Sequence, residues 1–135
     1  MKPDSQRASR IYEKLLQVAP DLGETMGYAK SKVDGLIDLN LDVLERSQGY
    51  MRIALSHYWL HPCGDMVPDP DVEIAVFLDD GFAEALSFQD AFGYEATYPN
   101  GKDLPNVRVH DEINEYLEHW LNRLAKQCHV LPKGR

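Results

Sequence analysis

The hydrophobic period of this sequence changes twice, and that change restricts the available folds more than any other feature. Near the start, Ile11, Leu15, Val18 and Ala19 recur at three- and four-residue spacing, with Leu16 and Leu22 beside them. That is the stripe of an amphipathic helix. Ser5 or Ser9 can cap its start, and Pro20 stops it near Ala19. From Gly35 the period becomes two: Ile37, Leu39, Leu41 and Val43 alternate with Asp38, Asn40 and Asp42, the pattern of a strand with one buried face. Close to the end the helical period returns. Ile113, Leu117, Trp120, Leu121, Leu124 and Cys128 form one stripe from about His110 to His129. Acidic residues fill the first half of that segment and basic ones its last turns, which suits the helix dipole and needs no functional explanation.

Turn chemistry orders the middle of the chain. Ser47-Gln48-Gly49 closes a first hairpin, with Met51, Ile53 and Leu55 on the returning strand. Pro62, Gly64, Pro68 and Pro70 predict a surface loop over 60–70, because proline cannot donate to a ladder. Val72, Ile74, Val76 and Leu78 form the next strand, Asp80-Gly81 turns it, and Phe82 to Phe88 returns. Met26 to Lys30 can add an edge strand, and Phe92 to Tyr98 another before Pro99-Asn100-Gly101. The expectation is therefore an α+β domain. An antiparallel meander sheet of about five strands carries an N-terminal and a C-terminal amphipathic helix, with 1–8 and 131–135 as flexible tails.

A chain of 135 residues is one ordinary domain and needs no metal or disulfide to hold it. Its 14 basic and 22 acidic residues leave a net charge of −8, and the basic ones are scattered. Such a surface repels polyphosphates, so duplex nucleic acid is not an expected partner. The longest apolar run, Ile74 to Leu78, is far short of the roughly 20 residues of a membrane span. The first residues lack the apolar core of a secretory signal. Cys63 and Cys128 form no Cys-x-x-Cys pair, which fits a reducing cytoplasm.

The motifs that carry known chemistry fail on inspection. Asp38-x-Asn40-x-Asp42 opens like a calcium loop, but Val43 and Gly49 stand where that loop needs glycine and glutamate. His57, His61, Cys63 and Asp65 are metal-ligating types, yet Pro62 interrupts their strand and no second ligand pair follows. Glu115 and His119 lie one helical turn apart and read as an exposed pair. There is no nucleophile elbow, phosphate loop or dinucleotide fingerprint, so no metal or cofactor is expected. One anomaly is left. Glu45 falls in step with Leu41 and Val43, and Glu84 in step with Phe82, Leu86 and Phe88. Taken at face value, two carboxylates point to the apolar side of the sheet, where charge must be paired or protonated. A bulge or a strand end would instead return each to water.

Several scattered residues resemble a known family. They are Tyr98-Pro99-Asn100 before a helix with Asn114, Leu117, Trp120 and Leu121; Tyr12, Leu15 and Pro20; Leu44-Glu45; and Asp79 with Ala83-Glu84. Together these resemble the YqiB-like family, a bacterial domain-of-unknown-function family. The resemblance implies a proteobacterial cytoplasmic protein, picks out Glu45, Asp79, Glu84, Tyr98, Asn100 and Asn114 as ligand-binding candidates, and brings no activity. Some relatives are encoded beside nucleotide-cleaving hydrolases. The arginines those relatives carry ahead of the Tyr-Pro-Asn turn are replaced here by Asp90-Ala-Phe-Gly-Tyr-Glu-Ala-Thr, which speaks against an anion-binding role for that segment. The residues thus favour a non-enzymatic binding or regulatory module for a protein partner or small ligand. The alternative is a nucleotide-related enzyme or binding protein using sheet carboxylates. A homodimer through an edge strand fits either.

Overall fold

The computed structural model describes residues 5–60, 62–99 and 105–134. Helix α1 spans Ser5–Val18, and a 3-10 turn at Leu22–Glu24 leads into β1 (Tyr28–Ser31). The strands β2 (Leu39–Ser47), β3 (Tyr50–Leu60), β4 (Met66–Phe77), β5 (Phe82–Asp90) and β6 (Gly93–Ala96) follow, and α2 spans Val107–Lys126. The sheet is a six-stranded antiparallel meander in the order β1 to β6. The α+β expectation therefore holds, with one strand more than foreseen.

Both helices lie on one face. Ile11, Leu15 and Val18 from α1 and Ile113, Leu117, Leu121 and Leu124 from α2 join Leu41, Ile53, Leu55, Ile74, Val76 and Ala85 in one core. The stripes read from the sequence are the buried stripes, as ~25 cal/mol per Å² of apolar burial requires. No helix covers the opposite face among the described residues. Among the described residues no helix is long and apolar enough to cross a membrane.

Departures from the expected boundaries have local causes. β2 starts at Leu39 rather than Ile37, because a turn through Gly35 (φ 81°) precedes it and Ile37 is exposed. The expected loop over 60–70 is largely strand: β3 runs to Leu60 and β4 starts at Met66. Pro70 is tolerated because it falls where the register slips, between Ser56 and Tyr58, and Pro62 lies in the turn between the strands. His61 lies outside the described residues. α2 stops at Lys126, so Cys128 is not on its stripe; it is exposed, with a left-handed φ of 66°. Ser9 lies inside α1 instead of capping it, residues 5–8 belong to that helix, and Leu131 is buried rather than part of a loose tail.

Gly49 and Gly81 close their hairpins with φ of 74° and 70°. A side chain at either costs about 1–2 kcal/mol of left-handed strain. At Gly49 a Cβ would also run into the Asp79 carboxylate, whereas at Gly81 the nearest atoms are the Tyr12 ring carbons at 3.8 Å. Gly49→Ala is therefore expected to lower the thermal midpoint by about 5 °C or more, and Gly81→Ala by less. Circular-dichroism melts of the two variants check the order.

Candidate functional site

The parity anomaly is resolved by bulges. β2 and β3 pair Val43 with Ile53 and then Glu45 with Arg52, so Leu44 is the extra residue and the strand's faces exchange beyond it. Arg46 now takes the inner side against Met51, donating to the Thr25 and Gly23 carbonyls, while Glu45 turns outward to Arg52. β5 slips likewise: Glu73 pairs with Ser87 and Ile74 with Ala85, leaving Leu86 over. Ala83 and Ala85 take the core positions and Glu84 the opposite parity. The two glutamates sit on one row, Glu45–Arg52–Ala75–Glu84, with two strands between them. At about 4.8 Å per strand that is roughly 14 Å. They do not converge.

Glu84 and Asn114 are nevertheless brought close at the edge of β5 beyond the end of β6. His110 Nε2 lies 2.9 Å from Glu84 Oε2, and both side chains are mostly buried. The Glu84 carboxylate beside it holds the His110 imidazole above its ordinary pKa, against burial. One turn on, buried Asn114 accepts from the Ala85 N–H at 2.7 Å and donates to the Ala85 carbonyl at 3.3 Å. Its amide thus pairs with β5 as a neighbouring strand's peptide would. Asp79 lies at the β4–β5 turn against Gly49, Tyr98 follows β6, and Asn100 is outside the described residues. Among the described candidates, Asp79 thus lies at a turn, Glu45 pairs with Arg52 on the sheet, and Glu84 and Asn114 meet α2 at the edge of β5.

What sequence reasoning missed lies on the helix-free face. Cross-strand rows stack Asp42, Ala54, Glu73 and Ser87, and beside them Asn40, Ser56, Asp71 and Gln89. These rows floor a concavity of about 380 Å³ lined by Asp42, Tyr58, Asp71, Glu73, Ser87 and Tyr94 among others. Glu73 is paired with Arg52 at 2.5 Å. Among the described residues no cation stands within ion-pair distance of Asp42 or Asp71. Burial pushes the Asp42 carboxyl up, and burial, then Glu73 and Asp42, push the Asp71 carboxyl up. Tyr58 donates a long hydrogen bond of 3.4 Å to Asp71, and its phenol is raised too, first by burial. The signal was present: Asp71 and Glu73 alternate with Val72 and Ile74. A polar residue on the outer side of a strand ordinarily means only contact with water.

The histidines divide. His57 turns to the helix side, where its Nδ1 lies 2.9 Å from the Asp38 carbonyl and its ring meets Trp120 edge-on at 5.4 Å. Its other neighbour is His129, at 5.9 Å between ring centres. Cys63 lies beside Asp65 on the exposed β3–β4 turn. Among the described residues no three histidine, cysteine or carboxylate side chains converge as metal ligands would.

Comparison with known proteins gives one result. The model of a domain of unknown function, DUF6908, matches residues 10–130. No curated protein and no solved structure matches. The matching model is not that of the YqiB-like family, and nothing links the two. The coarser expectation, a domain family without assigned activity, is the one that stands.

Proposed function

We propose that this chain, a member of the DUF6908 family of domains of unknown function, is a binding module whose concave sheet face holds a cationic group of its ligand. The observation that carries this reading is the pair Asp42 and Asp71: two carboxylates on one concavity, raised by burial and without a cation partner among the described residues. Ionising such groups in a folded protein is unfavourable, and a bound cation removes the penalty. Tyr58 and Tyr94 add ring faces that attract ammonium or guanidinium groups. The volume suits a lysine or arginine side chain or a small amine. The rival reading, an enzyme using Glu45 and Glu84 together, loses its motivation with their separation. A cytoplasmic setting goes with this proposal, as a sequence with two isolated cysteines and no Cys-x-x-Cys pair suggests.

Asp71→Asn separates function from stability. It removes an ionised carboxylate that is unfavourable in the fold, so the empty variant is expected to melt higher than the native protein near neutral pH. It is also expected to lose the stabilisation that millimolar agmatine gives the native protein in low salt. Agmatine without effect on the native protein, or an Asp71→Asn variant that melts lower, defeats the reading.

A further inference from the structure

The two edges of the sheet are treated differently by the chain. At β1 the C-terminal segment closes the edge: Val130 N–H donates to Ser31 Oγ, Gly134 N–H to Thr25 Oγ1, and the Gly134 backbone passes so close to the Tyr28 carbonyl that a Cβ would collide with it. At β6 no described residue pairs with the outer side. The Thr97 N–H donates to the Leu86 carbonyl, so strict antiparallel alternation turns Glu95 and Gly93 toward β5. It leaves the peptide groups of Tyr94 and Ala96 facing outward. Proteins usually guard such an edge with lysine or proline, and Gly93-Tyr94-Glu95-Ala96 has neither. Phe92 is 96% exposed and Tyr94 60%, an aromatic concentration typical of interfaces.

A cleft flanks this edge on each side. On the helix-free side Tyr94 borders the Asp42–Asp71 concavity. On the helix side Phe88, Glu95, Glu112, Ile113 and Tyr116 line a smaller cleft of about 120 Å³, apolar at its base and acidic at its rim. We propose that β6 is the docking edge for an extended basic segment of a partner protein, which adds to the sheet as a seventh strand. Alternate side chains of an added strand point to opposite faces, so every second residue reaches one of these clefts. Lysine or arginine fits both: its stem lies on Phe88 and Tyr116, or beside Tyr94, and its head meets a carboxylate. Charge argues against a second copy as the occupant, because each chain carries −8 and would bring the same acidic edge. The proposal rests on the cation-binding reading above for one of its two clefts.

The probe is an amidated Lys-Val-Lys-Val-Lys-Val peptide labelled with tetramethylrhodamine at its N-terminus, compared with a peptide of the same side chains and label whose alternate amides are N-methylated. Fluorescence anisotropy on the native full chain is expected to show binding that weakens about tenfold or more with the N-methylated peptide. Ala96→Pro is expected to weaken it as much, and it removes only an outward N–H that an edge strand does not use in the fold. Slowed exchange of the Tyr94 and Ala96 amides in the complex locates the added strand. Equal binding of both peptides, or full binding by Ala96→Pro, overturns strand addition. If agmatine still protects the native protein in that case, the cation site survives alone; if the peptide binds while Asp71→Asn changes nothing, the edge survives and the cation site falls. Self-association through β6, seen by sedimentation and abolished by Ala96→Pro, overturns the basic partner in favour of a second copy.

Discussion

Asn114→Ala is expected to lower the thermal midpoint by about 10 °C, the largest stability effect of any polar substitution considered. Asn114 is 1% exposed and its amide makes three hydrogen bonds: to the Ala85 N–H, the Ala85 carbonyl and the His110 carbonyl. The Ala85 carbonyl keeps a contact from Thr97 Oγ1 at 3.4 Å when the amide is removed. The Ala85 N–H loses the acceptor at which it is aimed, 2.7 Å away. A buried donor left unsatisfied costs about 1–3 kcal/mol, and the space left by the side chain adds to that. In a domain of this size each kcal/mol moves the midpoint by about 3–5 °C. Asn114→Leu separates the two contributions, since it refills the volume without restoring the bonds. It is expected to recover little, and the Ala85 amide should exchange faster in both variants. A leucine variant as stable as the native protein would mean that Asn114 acts only by its bulk.

This residue also marks where sequence reading succeeds and where it stops. The helical stripes, the meander and the glycine turns were legible because each rests on a local period or a local conformational demand: Leu117 and Leu121 are buried for the same reason that they are spaced as they are. Asn114 stood out only through a resemblance, and its pairing with Ala85 joins residues 29 positions apart. A bulge was the expected way for Glu45 and Glu84 to reach water, but its positions at Leu44 and Leu86 were not legible. A bulge adds one residue to one strand, and nothing in Val43-Leu44-Glu45 distinguishes it from simple alternation until the partner strand is in place. Those slips reversed the placement of Glu45 and Glu84, and with it the site that parity had suggested. The concavity around Asp71 depends on five strands at once, a level of organisation that no window of sequence contains.

Mild acid is expected to release the C-terminal segment from β1 before it unfolds the sheet. His129 is 1% exposed, and its Nδ1 lies 3.0 Å from Ser31 Oγ. Ser31 Oγ also accepts from Val130 N–H at 3.1 Å, and its two lone pairs and one hydrogen let it pair with Nδ1 in either ring tautomer. The doubly protonated ring must donate from both nitrogens, in a site where buried Nε2 has no partner among the described residues. Burial depresses the His129 pKa first and His57 adds to it, with Asp38, itself beside Lys30, opposing. The folded value lies below the ordinary one, so the contribution of His129 is complete above about pH 6.5 and is lost as pH falls through the folded value. His110 has the opposite sign: Glu84 raises its pKa, so its contribution is complete below about pH 6.5 and is lost as pH rises through the folded value. The two linkages act at different places, which makes them separable by local probes. The Leu131 amide, which donates to the Val18 carbonyl, should lose protection between about pH 7 and 5 while those of Ile53 and Ile74 keep theirs. His129→Asn retains an acceptor for Ser31 without the titration, and its Leu131 amide should keep the same protection at both ends of that range. Uniform loss of protection across the sheet in the native protein, or unchanged acid release in His129→Asn, would assign the effect elsewhere.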